Sequence, residues 1–161
     1  MTHTILTPDG PFTVLAGGGT VLASGWTDDA EALLALVHPD LRDQIDHDGL
    51  DQALTAVRAY YDGDLAAPAR VGVRQRSGEF RVHAWDVLRA VGAGDVVTYT
   101  EYAAAAGRPA AIRAAASACA QNAAALFVPC HRVVRADGGL GGFRYGLPIK
   151  RSLLERERRA S

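Results

Sequence analysis

Six consecutive residues could do chemistry here: Val128-Pro129-Cys130-His131-Arg132-Val133. A cysteine attacks as its thiolate, and a neighbouring imidazole or cationic surroundings favour that form. Leu126-Phe127-Val128 reads as a short buried strand, and Pro129, lacking a backbone donor, ends its pairing. Cys130 is then delivered at the end of a rigid element with a base beside it. The pair alone fits equally well a buried structural cysteine next to a hydrogen-bonded histidine.

The surrounding residues carry more. Pro129-Cys130-His131-Arg132-Val133 resembles the signature of the O6-alkylguanine-DNA alkyltransferases, DNA-repair proteins that accept an alkyl group on their own cysteine. The resemblance runs from about Phe80 to Glu157 and more loosely back to the N-terminus. It is strongest towards the bacterial adaptive-response type, through Ala116-Ser117-Ala118-Cys119-Ala120 and Val134-Arg135-Ala136-Asp137-Gly138.

This resemblance implies the following roles. Cys130 takes the alkyl group, His131 deprotonates it through a water, and Glu157 orients the imidazole, as in a hydrolase triad. Glu155 is the competing choice for that acid, set aside because Glu157 has the family's spacing from Cys130. Tyr99 serves the flipped nucleotide as a proton donor. Arg113 fills the hole left by the extruded base, and Ala114 on the same helix lies against the DNA. Asn122 ties that helix to the cysteine segment, although an asparagine at a helix end also serves as a left-handed cap. Cys119, Val133, Phe143, Arg144 and Lys150 line the pocket: the Arg144 amide donates to guanine O6, and the Cys130 and Val133 carbonyls accept from its amino group. Phe143 stands where the family often has tyrosine, so no phenol acts there. Arg135, Arg81 and Arg108 are candidates for phosphate contacts.

The elements that must position these residues follow from pattern. Thr4–Thr7 and Pro11–Ala16 flank a Pro-Asp-Gly-Pro turn, and Gly17-Gly18-Gly19 leads into Thr20–Trp26, giving a three-stranded antiparallel sheet. Thr27 caps a helix stopped by Pro39, and Leu50, Leu54, Val57 and Tyr61 mark a second that ends near Gly63. Val71 and Val73 suggest one more strand. Phe80, Trp85, Leu88 and Val91 face one side of a helix. Thr98 caps a short helix to Ala106, Gly107 breaks it, and Pro109 opens an alanine-rich helix to about Ala120, a helix-turn-helix pattern. Methyl groups read bases poorly, and the resemblance implies docking in the minor groove, so little sequence specificity is expected.

The expected fold class is therefore mixed α/β (α+β). Residues 1–76 form a small sheet-and-helix scaffold, ribonuclease-H-like by resemblance. Residues 77–161 form a mostly helical domain with the helix-turn-helix and the cysteine, joined across a linker spanning Ala66 to Gly78.

The chain has 161 residues and a net charge of −1, but the halves differ. Residues 1–79 hold 5 Arg against 12 acidic residues, net −7, and residues 80–161 hold 12 Lys/Arg against 6, net +6. A basic half calls for a polyanion. No apolar run approaches a membrane span and Met1-Thr2-His3-Thr4 lacks a signal-peptide pattern, so no membrane partner is expected. Two cysteines make no disulfide framework, and a reactive thiol suits the reducing cytoplasm. His3, His38, His47, His83 and His131 show no paired metal-ligand spacing, so neither metal nor cofactor is expected. The partner implied is double-stranded DNA carrying O6-alkylguanine, bound by a monomer. The alternatives are an alkyl-lesion sensor, which the presence of Cys130 disfavours, a Cys-His hydrolase, which needs an oxyanion hole, and a helix-turn-helix transcription regulator.

Overall fold

The Pro8–Gly10 turn closes a hairpin in a computed structural model of the chain, in which residues 3–160 are described. Strand β1 (Thr4–Thr7) pairs antiparallel with β2 (Gly10–Gly17), with Thr4 opposite Thr13. In turn, β2 pairs antiparallel with β3 (Thr20–Gly25), the register slipping between Leu15 and Ala16. The sheet order is β1-β2-β3. Helix α1 (Ala30–Leu34) is capped by Asp29, whose carboxylate accepts from the Ala32 amide at 3.2 Å. Thr27, the expected cap, instead holds Asp29 by accepting from its amide at 3.0 Å. Pro39 does not end α1; it opens a 3-10 turn over Pro39–Gln44. Leu33, Val37 and Leu41 bury with Leu15 and Leu22 of the sheet.

Helix α2 (Leu50–Tyr61) buries Leu50, Leu54 and Val57 of the expected stripe, together with Ala53, Ala56 and Tyr60; Tyr60, not Tyr61, takes the fully buried place. A second 3-10 turn covers Ala67–Arg70. The strand expected at Val71 and Val73 does not form. Val73 makes a single bridge to Val21, with the Val21 amide donating to the Gly72 carbonyl and the Arg74 amide to the Val21 carbonyl.

Two compact units result. The first comprises residues up to Arg76 together with Ala123–Phe127; the second comprises Ser77–Asn122 and the chain from Val128. Ala123–Phe127 lies with the first unit rather than with the rest of 77–161. The reason is pairing: the Ser24 amide donates to the Ala123 carbonyl at 2.8 Å and the Ser24 hydroxyl to the Ala125 carbonyl at 2.7 Å. Nor do Leu126 and Phe127 make the expected strand. Leu126 has φ +76°, the left-handed region, and both residues are buried in a turn.

In the second unit, α3 (Glu79–Arg89) buries Ala84, Trp85 and Leu88. A two-residue strand β4 (Val97–Thr98) leads into α4 (Tyr99–Ala105). Thr98 and Glu101 form a reciprocal capping box, each side chain accepting from the other's amide, at 3.0 and 2.8 Å. Gly107, at φ +92°, ends α4: its amide donates to Ala104 and that of Arg108 to Ala103, a Schellman closure only a residue without Cβ adopts cheaply. Helix α5 (Ile112–Ala120) starts three residues later than Pro109 suggested, because Pro109 lies in the connecting turn that the Ala111 amide closes on Arg108. Trp85 donates its indole N–H to the Ala118 carbonyl at 2.8 Å and Tyr102 its hydroxyl to that of Ala84 at 2.6 Å, so α3, α4 and α5 are cross-linked. A 3-10 turn over Cys130–Arg132 runs into β5 (Val133–Val134), which pairs parallel with β4, and α6 (Leu147–Arg159) ends the described chain.

Candidate active site

Pro129 sets the geometry of the cysteine. Its φ of −81° and ψ of 64° make an inverse γ-turn, in which the Cys130 amide donates to the Val128 carbonyl at 2.8 Å. The ring fixes φ near that value in advance. The same carbonyl accepts from the Asn122 side-chain amide at 2.9 Å, so both its lone pairs are used. Asn122 does not have positive φ and is no left-handed cap.

Cys130 is 8% exposed and His131 fully buried. Burial pushes the Cys130 thiol up; a hydrogen bond from Asn122 and the charge of Lys150 pull it partway back. The resting sulfur is a neutral thiol, so its activation needs a base. His131 donates from Nε2 to Glu157 Oε2 at 2.7 Å. Glu157 is itself buried on α6, which alone would raise its pKa, yet the hydrogen bonds and charges of His131 and Arg132 hold it at about 2. An ionised carboxylate only accepts, so the proton of the neutral imidazole is on Nε2 and the lone pair on Nδ1. Burial, outweighing Glu157, keeps His131 below its usual value and hence neutral. Nδ1 has no protein hydrogen-bond partner among the described residues. Glu155, the competing acid, is half-buried, 3.7 Å from Arg159 and with no bond to His131.

Tyr99 stands at the first turn of α4, and the β4–β5 pairing of Val97 with Val133 brings its strand beside the cysteine segment. Burial, then the thiols of Cys119 and Cys130, push its hydroxyl up to about 12, which keeps it a proton donor. Gly141 packs against it so closely that a Cβ there would be 2.9 Å from the ring and hydroxyl. Lys150 is fully buried; its ammonium donates to the Val133 carbonyl at 2.8 Å and the Gly142 carbonyl at 3.3 Å. The Cys130 carbonyl accepts from the Val133 amide. The Cys130 and Val133 carbonyls each accept one of these bonds, and a carbonyl oxygen has two lone pairs. Arg144 donates from its guanidinium to the Ala120 carbonyl at the end of α5, and Phe143 meets Tyr145 edge-on at 5.7 Å. Cys119 is half-buried on α5, and burial, then Cys130, raises its thiol.

The arginines divide. Arg113 is exposed beside Ala114 and makes no hydrogen bond or ion pair with any described residue. Arg135 is exposed and paired with Asp137 at 2.9 Å. Arg81 donates to the Ser117 hydroxyl at 2.8 Å, and Arg108 lies over the Phe80 ring at 5.0 Å. Arg132 has no role in the sequence reading, yet it holds Glu157, the partner of His131, at 2.8 Å. Its signal was its place in the hexapeptide. No group of three or more His, Cys, Asp or Glu among the described residues could hold a metal ion.

The family model for the 6-O-methylguanine DNA methyltransferase DNA-binding domain matches residues 79–159, which contain α3 to α6 and the whole cysteine site. The chain belongs to the O6-methylguanine-DNA methyltransferase family. A methylated-DNA–protein-cysteine methyltransferase of Mycobacterium tuberculosis is 35% identical over 97% of this chain and 91% of its own length. The crystal structure of Mycobacterium tuberculosis O6-methylguanine methyltransferase superposes with a TM-score of 0.78 at 29% identity, covering 98% of this chain and 92% of that one. A solved complex of that organism's OGT with DNA gives 0.78 at 28% identity over 99% and 93%. The bifunctional transcriptional activator/DNA repair enzyme Ada of Escherichia coli is 49% identical over 51% of this chain; the match covers 23% of Ada's length. The mixed α/β fold is that of the alkyltransferases.

Proposed function

We propose that the protein repairs DNA by a single-use transfer of an alkyl group, methyl in the simplest case, from O6 of guanine in duplex DNA to Cys130. The observation that carries this is the imidazole of His131, with Nε2 engaged by Glu157 and Nδ1 unpartnered, in the turn that holds Cys130. A water between Nδ1 and the thiol relays the proton, and the sulfur displaces the alkyl carbon from O6 in line. Tyr99 donates to N3 so that guanine leaves without full negative charge.

The base must first leave its stack, at a cost of about a few kcal/mol. Arg113 fills the vacated place, which its freedom from other partners suits, and Ala114 allows close approach to the minor groove. The spare lone pairs on the Cys130 and Val133 carbonyls accept from the guanine amino group, and the Arg144 amide donates to O6. Phe143 and Cys119 wall the pocket, Asn122 fixes the cysteine turn, and Lys150 holds the Val133 carbonyl in place. Arg135 contacts phosphate, exchanging Asp137 for DNA. Arg81 and Arg108 are committed within the protein and are weaker candidates. Residues 1–76, with Ala123–Phe127, act as a scaffold, and the rest of 77–161 as the DNA-binding and acceptor part. The protein works as a monomer without cofactor, in the reducing cytoplasm that a reactive thiol needs; no described helix is long and apolar enough to cross a membrane.

Intact-protein mass spectrometry after mixing with a duplex containing O6-methylguanine tests the reading. One methyl group gained per chain, mapped to the peptide with Cys130 and absent in Cys130→Ser, is the expected result. An unmodified protein overturns it, as does repeated turnover.

A further inference from the structure

Glu157 has two claimants. Besides His131, Arg132 grips it with a guanidinium fork, Nε to Oε1 at 2.8 Å and Nη2 to Oε2 at 3.1 Å. The third nitrogen, Nη1, donates to the Val91 carbonyl at 2.7 Å, just beyond the end of α3. Arg132 is 6% exposed, Glu157 1% and His131 fully buried, so the whole cluster is out of water. A carboxylate held by His131 alone could rotate about its last bond and present either oxygen. The fork fixes its plane, and the Val91 contact fixes the fork.

We infer that Arg132 is a positioning residue for alkyl transfer, acting through Glu157 to keep the proton of His131 on Nε2 and Nδ1 free to accept. This rests on the reading of His131 as the base. The charged groups facing His131 are Glu157 and Lys150 from α6 and Arg132 from its own turn; those facing Glu157 are His131 and Arg132. Together Glu157 and His131 carry one negative charge at rest, opposite the cation of Arg132. Without that cation the pair takes up its next proton at higher pH, as a unit. Wherever that proton settles, the base is lost. On the imidazole it occupies Nδ1. On the carboxyl it is donated to Nε2, which moves the ring's own proton to Nδ1.

The test is the single-turnover rate of transfer from duplex O6-methylguanine over about pH 5 to 9, in the full chain and in Arg132→Gln, Arg132→Lys and His131→Gln. In the unsubstituted protein the rate falls on the acid side as the pair is protonated. In Arg132→Gln that acid limb moves up by about one pH unit or more. Arg132→Lys keeps the cation, so its limb stays in place, while loss of the fork lowers the plateau roughly ten-fold, a modest share of what general base catalysis supplies. A limb unmoved in Arg132→Gln, with only a lower melting temperature, makes Arg132 structural and overturns the inference. Should Arg132→Gln not fold, Arg132→Lys decides: a plateau equal to that of the parent overturns it. An undiminished rate in His131→Gln sinks the base reading itself.

Discussion

Asn122 donates its side-chain amide to the Val128 carbonyl at 2.9 Å, joining the two points where the chain leaves and rejoins the second unit. The bond also completes the carbonyl that closes the γ-turn before Cys130. Asn122→Ala leaves a buried acceptor with one partner fewer and removes the donor that stabilises the thiolate. Losing such a bond costs about 1–3 kcal/mol, lowering the melting temperature by roughly 2–4 °C per kcal/mol for a chain of this size. Calorimetry reads the stability, and the transfer rate at constant pH should fall alongside it.

Glu157 and Glu155 are two residues apart and should behave oppositely. Glu157→Gln strands the buried Arg132 charge, an effect worth about 3–5 kcal/mol when one partner of such a pair is lost, and slows transfer by ~10²-fold or more. Glu155→Gln, at a half-buried position, changes stability by less than about 0.5 kcal/mol and leaves the rate unchanged. Equal effects would refute the assignment.

Acid stability follows from the same carboxylate. The folded value of Glu157 is depressed to about 2, from an ordinary 4.5. Its contribution is therefore present above pH 4.5 and lost as pH falls through that window towards about 2. Denaturant midpoints should drop across it in the parent, and the slope should be shallower in Glu157→Gln.

Gly141→Ala is a small change at a crowded place. The backbone has φ +77° and the new Cβ would meet the Tyr99 ring and hydroxyl at 2.9 Å. The left-handed conformation alone costs about 1–2 kcal/mol for a residue with Cβ. Tyr99 must turn away, so transfer should fall towards the level of Tyr99→Phe. A parent-like rate would separate Gly141 from the tyrosine's role.

Arg113→Ala removes an exposed side chain that makes no hydrogen bond or ion pair with any described residue. Melting should shift by no more than the equivalent of about 0.5 kcal/mol, while transfer from duplex DNA drops and reaction with free O6-benzylguanine is less affected. Equal losses on both substrates would remove Arg113 from base extrusion.

What the sequence made legible was local. The capping box needs only Thr98 and Glu101, the Schellman closure only Gly107, and the sheet only its turn residues and alternation. The cysteine turn was legible as a motif but not as geometry. Leu126-Phe127 looked like strand because both are apolar, and burial in a turn at φ +76° leaves the same signature. Helix α5 began late because Pro109 suits a turn as well as a first helical position. The grip of Arg132 on Glu157 spans 25 residues and is invisible to any periodicity. Spacing could favour Glu157 over Glu155, but only the packed helix face shows why: Glu157 turns inward and Glu155 outward.

Burial of the Cys130 sulfur has a consequence for its shelf life. Kept protonated and 8% accessible, it is a poor target for the small electrophiles and oxidants of a cell, which consume thiolates. If the transfer proposed above is its task, a reagent spent in one event must not be spent by accident. On the proposed reading the neutral sulfur works as a safety catch, released when a purine fills the pocket and the relay to the imidazole closes.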